Sequence, residues 1–193
     1  MIFGGYSPKP KPKKNALILA HIKNGESILE VAIGTGLTFR EIIRANPDGQ
    51  NVGIDLTPAM LEKAKSRIAK LRINNYQISV GDAYELKFPD RRFDLLMNNY
   101  MFDLLPEKDF IPVLKEFKRV LKPSGRIVIV NMSKGNNLYD SFWEAIYRIN
   151  PQWIGGCRGV FLSQSLQIAG FKNIYRETVT QMGFVSEIIS ATV

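Results

Sequence analysis

The stretch Ser27-Ile28-Leu29-Glu30-Val31-Ala32-Ile33 runs straight into Gly34-Thr35-Gly36, and that junction constrains the fold more than any other feature of the chain. A compact apolar run without alternation suits a strand buried on both faces, as in a parallel sheet. Glycines at its end permit a tight turn with left-handed backbone, and residues 37–45 behind them read as a helix. Strand, glycine turn and helix together make the first half of a right-handed crossover unit.

The alternation repeats downstream. Residues 51–54 make a short strand, and Thr57-Pro58 opens a helix with an N-cap hydroxyl and a proline at its first position. Met60, Leu61, Ala64, Ile68 and Leu71 recur there at helical spacing and are expected to face the sheet. Strands follow at 76–80 and 93–98, then a helix over 109–121 that tolerates Pro112 only in its first turn. Lys122-Pro123-Ser124-Gly125 breaks that helix before a strand at 126–131. The tail differs, because the strand-like runs 171–180 and 183–192 have almost nothing between them and must pair antiparallel. The expected architecture is therefore an α/β, Rossmann-like, doubly wound sheet, mostly parallel with an antiparallel end.

At 193 residues the chain suits one domain, expected over 14–193 behind a flexible basic arm of 1–13 in which Lys9, Lys11, Lys13 and Lys14 interleave with prolines. A short helix starts near Asn15 and ends at Asn24-Gly25. The stretch 133–162 carries Tyr139, Phe142, Trp143, Tyr147, Trp153 and Phe161 and is expected to cap a site. No apolar run approaches the ~20 residues of a membrane span, no secretory h-region is present, and Cys157 is the sole cysteine. A soluble protein in a reducing, cytoplasmic setting is expected. The net charge of +8 attracts phosphate through long-range fields, but Lys63, Lys65, Arg67 and Lys70 fall on the outer side of one helix, which is ordinary solubilising placement.

In an open α/β sheet, ligands sit at the carboxyl ends of the strands near the switch point. Glu30-x-Ala32-x-Gly34-x-Gly36 places small residues there, beside the amides that open the next helix. Asp55, about twenty residues on, ends the second strand where a carboxylate accepts hydrogen bonds from ribose hydroxyls. Asp82 follows the third strand and is positioned for an adenine amine. Aspartates in such places also commonly cap turns. Leu37 and Phe39 occupy the positions where a dinucleotide fingerprint needs its last small residue, and no phosphate-cradling G-x-x-x-x-G-K-[ST] occurs.

These segments resemble class I S-adenosylmethionine-dependent methyltransferases. The likeness rests on residues 28–36, on Gly53-Ile54-Asp55-Leu56-Thr57-Pro58, on Gly81-Asp82-Ala83, on Phe88-Pro89-Asp90-Arg91-Arg92-Phe93-Asp94, and on residues 117–126. It covers 27–131 in order and leans toward the branch that methylates quinone precursors and phosphatidylethanolamine. Ala32 departs from it, standing where the family carries its first glycine. The resemblance implies a seven-stranded sheet with the last strand antiparallel, with S-adenosylmethionine as cofactor and S-adenosylhomocysteine as product. The implied cofactor contacts are Glu30, Ala32, Gly34, Thr35, Gly36, Asp55, Leu56, Met60, Asp82, Ala83 and Asn98.

Methyl transfer is mainly a problem of positioning, and a base is needed only where the acceptor must shed a proton. The sequence fixes no catalytic residue; His21, Tyr6 and Tyr100 are the candidates. Asn99, Tyr100, Tyr139, Trp143, Trp153 and Arg158 are candidate acceptor contacts. After Asn98 there is no Pro-Pro-aromatic run, and Cys157 follows a glycine rather than a proline, so a nucleic-acid acceptor is disfavoured. A small, lipid-like or quinone-like acceptor is expected, with the basic arm suited to peripheral contact with anionic membrane. A cofactor-binding regulatory module without turnover stays open, because a fold and a cofactor site do not guarantee chemistry.

Overall fold

The computed structural model describes residues 12–71, 73–133, 159–181 and 184–193. Seven strands make one sheet in the order β3-β2-β1-β4-β5-β7-β6. They are β1 (Ser27–Val31), β2 (Gln50–Asp55), β3 (Tyr76–Val80), β4 (Phe93–Asn99), β5 (Leu121–Met132), β6 (Lys172–Gln181) and β7 (Phe184–Thr192). Pairing is parallel from β3 to β5, and β7 runs antiparallel to both β5 and β6. The expected architecture is what forms, with β7 alone reversed.

Burial explains the order. Central β1 and β4 are buried along nearly their whole lengths, which is why their sequences run apolar without alternation. Strand β3, at the edge, is largely exposed and accordingly carries Gln77 and Ser79. One face of the sheet is covered by α1 (Pro12–Leu19), α2 (Leu37–Ala45) and α3 (Pro58–Ile68), whose Ala16, Phe39, Ile42, Leu61, Ala64 and Ile68 pack with Ile28, Leu95 and Val128. The other is covered by α4 (Phe110–Val120) and α5 (Ser163–Ile168), through Val113, Leu114, Phe117 and Leu166 against Leu29, Leu96 and Ile127.

Several boundaries move. Helix α1 begins at Pro12, so Lys13 belongs to its first turn rather than to a free arm. It stops at Leu19 because Arg126 takes the next carbonyls, donating from Nε to Ala20 O at 2.7 Å and from the guanidinium to His21 O at 3.0 Å. The same guanidinium pairs with Glu26 at 2.8 Å, tying the helix to the start of β1. The expected break at residues 122–125 lies inside β5 as a register shift between Phe93 and Leu95 of its partner. Gly125 is required there, since a Cβ would lie 2.8 Å from Lys122 O. Thr57 does not cap α3 with its hydroxyl.

Of the 133–162 stretch, Ser133 and Val160 form an isolated bridge, and Val160 N donates to Met132 O at 2.9 Å. The chain thus returns to the end of β5. The aromatic part between them lies outside the described residues, as do residues 1–11 of the arm. Among the described residues no helix is long and apolar enough to cross a membrane.

Candidate functional site

The turn after β1 is built on left-handed backbone at Ala32 (φ 59°), Gly34 (φ 53°) and Gly36 (φ 73°). Two glycines meet that demand at no steric cost; Ala32 meets it under strain. The glycines then differ in purpose. A Cβ on Gly36 would stand 3.0 Å from Ala64 Cβ, so its bareness lets α3 pack against the turn. A Cβ on Gly34 would meet nothing within 4 Å, so Gly34 faces open space.

Asp55 locks this turn from the next strand. Its Oδ2 accepts the Gly34 amide at 2.8 Å and its Oδ1 accepts the Thr57 amide at 2.9 Å. One buried carboxylate therefore fixes both the glycine turn and the backbone that enters α3. Each oxygen retains lone-pair capacity for a hydroxyl donor.

Beside the turn lies a set of buried polar groups with incomplete partners. Asn99 Nδ2 donates to Glu30 Oε1 at 2.8 Å, and Asn98 Nδ2 donates to Val31 O at 2.9 Å. Among the described residues Glu30 Oε2, Asn98 Oδ1 and Asn99 Oδ1 have no partner. Unmet buried polar atoms are destabilising by roughly 1–3 kcal/mol each, and three at the carboxyl ends of β1 and β4 suit a polar ligand. Burial pushes the Glu30 carboxyl up to about 8, against the opposing pull of the Asn99 hydrogen bond and the Lys13 charge. Lys13 Nζ also stands 5.8 Å from the Tyr100 ring centroid.

The rim of the crevice is more open. Leu56, directly after Asp55, is 66% exposed; Met60 is half-buried on α3, and Ala83 packs on the core. Asp82 is exposed, and its Oδ1 accepts the Tyr84 amide at 2.9 Å, closing a local turn. The aspartate therefore serves the turn-capping role weighed above, with its second oxygen left for other donors.

Tyr100 follows β4 at φ 55°, with its hydroxyl 2.9 Å from Ser186 Oγ, and burial raises its pKa. His21 does not reach the site. It lies exposed after α1, with its carbonyl bound by Arg126 at the amino end of the sheet, a strand length from the glycine turn. The apolar helix that carries it simply runs toward the wrong edge. Tyr6, Tyr139, Trp143, Trp153 and Arg158 lie outside the described residues.

Sequence reasoning missed a second polar row on the sheet face opposite Glu30. Asn131 on β5 sits in register with Glu187 on β7, both fully buried. Glu187 pairs with Arg176, while both polar atoms of Asn131 and Oε1 of Glu187 lack partners among the described residues. Asp103 joins the row by accepting the Met132 amide at 3.1 Å, and burial lifts its carboxyl to about 7, helped by the Glu187 charge. A polar residue inside an otherwise apolar strand, such as Asn131 after Ile127-Val128-Ile129-Val130, was the available signal. Among the described residues no cluster of His, Cys, Asp or Glu could hold a metal.

Residues 28–125, half of the chain, match the methyltransferase domain family. The chain belongs to the class I S-adenosylmethionine-dependent methyltransferases. Relatives of this methyltransferase include the demethylmenaquinone methyltransferase of Listeria monocytogenes serotype 4a, 27% identical over 158 residues, which are 80% of this chain and 64% of the relative. That of Symbiobacterium thermophilum is 34% identical over 130 residues, 66% of this chain and 51% of the relative. The methyltransferase thus spans less than two thirds of these relatives' lengths. A SAM-dependent methyltransferase from Aquifex aeolicus superposes with a TM-score of 0.71 at 20% identity over 94% of this chain and 89% of its own, a likeness of fold. The unmet oxygens of Glu30, Asn98 and Asn99 and the space before Gly34 suit the family's cofactor, which presents an ammonium and hydroxyl donors.

Proposed function

We propose that this chain transfers a methyl group from S-adenosylmethionine to a small, ring-bearing, lipid-like acceptor of the quinol class. The observation that carries this reading is the Asp55-locked glycine turn, open at Gly34 and flanked by unmet buried oxygens on Glu30, Asn98 and Asn99. When bound, the cofactor supplies a methyl on a positively charged sulfur. Glu30 and Asn98 hold the amino-acid end, and Gly34 and Thr35 leave room for it. Ala32 and Gly36 shape the turn. Asp55 takes the ribose hydroxyls, and Leu56, Met60, Asp82 and Ala83 border the adenine.

The quinol class is supported by the names of the relatives and by the acid–base groups beside the acceptor side. A phenol or an activated ring carbon must shed a proton, and Tyr100 and Asp103, whose carboxyl burial raises to about 7, follow β4 and are the groups we assign to that step. Asn99 and Tyr100 position the ring. Orientation supplies most of the acceleration, about 7–11 kcal/mol in well-aligned systems, leaving modest work to these groups.

The test is transfer of an isotopic methyl from labelled cofactor into a lipid and quinone extract. A labelled neutral lipid is expected. Tight cofactor binding without any labelled product across quinol, phenol and amine acceptors would sink the reading and leave a cofactor-binding module.

A further inference from the structure

On the outer side of the helical layer, α2 and α3 leave a cleft of about 640 Å³ between them. Five cations line it, Arg40 and Arg44 from α2, Lys63 and Arg67 from α3 and Lys70 from the turn just after α3, and at the end nearest the start of α2 it meets Thr35 of the glycine turn. Few carboxylates offset them. Glu41 is shared between Arg40 at 2.7 Å and Arg44 at 3.1 Å, so one negative charge serves two guanidiniums. Glu62, the acid on the lining, is engaged by Lys65 at 2.9 Å. Arg67 Nε is buried without a hydrogen-bond partner among the described residues. Guanidiniums and ammoniums converging on a cleft make a site for multiply charged phosphate.

We propose that this cleft docks the phosphate headgroups of an anionic bilayer and so holds the carboxyl edge of the sheet at the lipid surface. The lipid-like acceptor makes this docking useful, so the inference rests on the function proposed above. Three observations favour a bilayer over nucleic acid. No aromatic ring lines the cleft, whereas single strands are held by base stacking on aromatics. Thr35 lies between Gly34 and Gly36, so a surface seated in the cleft adjoins the edge where a membrane-borne acceptor must enter. Leu37, the first residue of α2 and next to that end, is exposed, as suits a side chain that meets the interfacial region. The basic residues that solubility alone would explain are thereby given one direction.

The experiment is flotation of the full chain with vesicles of phosphatidylcholine alone and with about a third phosphatidylglycerol. Each cation near an anionic surface is worth about 1 kcal/mol, so the double charge reversal Lys63→Glu with Lys70→Glu is expected to weaken vesicle binding at least tenfold. The pair Lys87→Glu with Lys108→Glu changes net charge equally from exposed positions beside the α4 face and is expected to stay within about threefold of the parent, because screening confines the effect to nearby charges. Thermal melts and cofactor calorimetry should be the same for all three proteins. No flotation of the parent, or equal loss from both pairs, overturns the proposal. So does a short RNA that the parent binds more tightly than vesicles, or glycerol phosphate that fills the cleft at concentrations where vesicles are not bound. Vesicle binding without methyl transfer leaves the docking surface and removes the functional reading; methyl transfer without vesicle binding does the reverse.

Discussion

Asp55 Oδ2 accepts a hydrogen bond from the Gly34 amide at 2.8 Å, and this contact between the ends of β2 and β1 holds the cofactor turn in shape. Its other oxygen holds the Thr57 amide at 2.9 Å. Asp55→Ala is therefore expected to act twice. Cofactor affinity falls by roughly 1–3 kcal/mol through loss of the ribose acceptor, and stability falls by a similar amount because two amides lose their partner. Calorimetry below the melting temperature separates the two effects. Unchanged affinity in a folded variant would remove Asp55 from the ribose site.

The two glycines of the turn should respond differently to alanine. Both sit at positive φ, so each change adds strain of about 1 kcal/mol. Gly36→Ala also drives a methyl to 3.0 Å from Ala64 and should lower stability further. Gly34→Ala enters open space, and its main effect should be on cofactor binding. Denaturant melts alongside titrations read the contrast; equal losses of affinity would contradict it.

Ala32 stands at φ 59° where the family carries glycine. Ala32→Gly removes a left-handed side chain but frees more backbone on unfolding, for a net gain of about 0.5–1 kcal/mol. A variant less stable than the parent in urea would show that the alanine's packing on the core outweighs its strain.

Glu30 makes stability depend on pH. Its folded-state pKa of about 8 lies above the ordinary 4.5, so the folded protein holds this proton more tightly than the unfolded chain. That contribution is full below pH 4.5 and is lost as pH rises through 8. Asp103, raised to about 7, acts in the same sense. Glu30→Gln keeps an oxygen for Asn99 and abolishes the titration, so its stability should fall less steeply with pH, with a difference on the order of a few kcal/mol at the alkaline end. Parallel pH profiles for the two proteins would mean that Glu30 is ionised when buried.

His21→Ala should leave the pH profile of methyl transfer unchanged, because the ring lies at the amino end of the sheet beside Arg126. A changed profile in the variant would place the residue back in the mechanism.

Much of the fold was legible in sequence because its signals are local. The both-face burial of β1 and β4 shows as unbroken apolar runs, and the near absence of a loop between β6 and β7 forces them antiparallel. Asp55 was legible as a site residue by its distance from the glycine turn. Its second task, gripping Gly34 and Thr57, was not, since it depends on two strands meeting side by side.

The sequence by itself determined the alternation of elements, the glycine turn and the acids after β2 and β3, because each follows from residue types within a few positions. Tertiary structure decided which edge a residue serves. It sent His21 to the amino end and brought Lys13 over Tyr100. It also aligned Asn131 with Glu187 across fifty-odd residues of chain and set five cations from α2, α3 and the turn after α3 around one cleft. The physical reason is that burial, and with it the protonation of Glu30 and Asp103, depends on what packs above a side chain, and strand order sets that, not chain order.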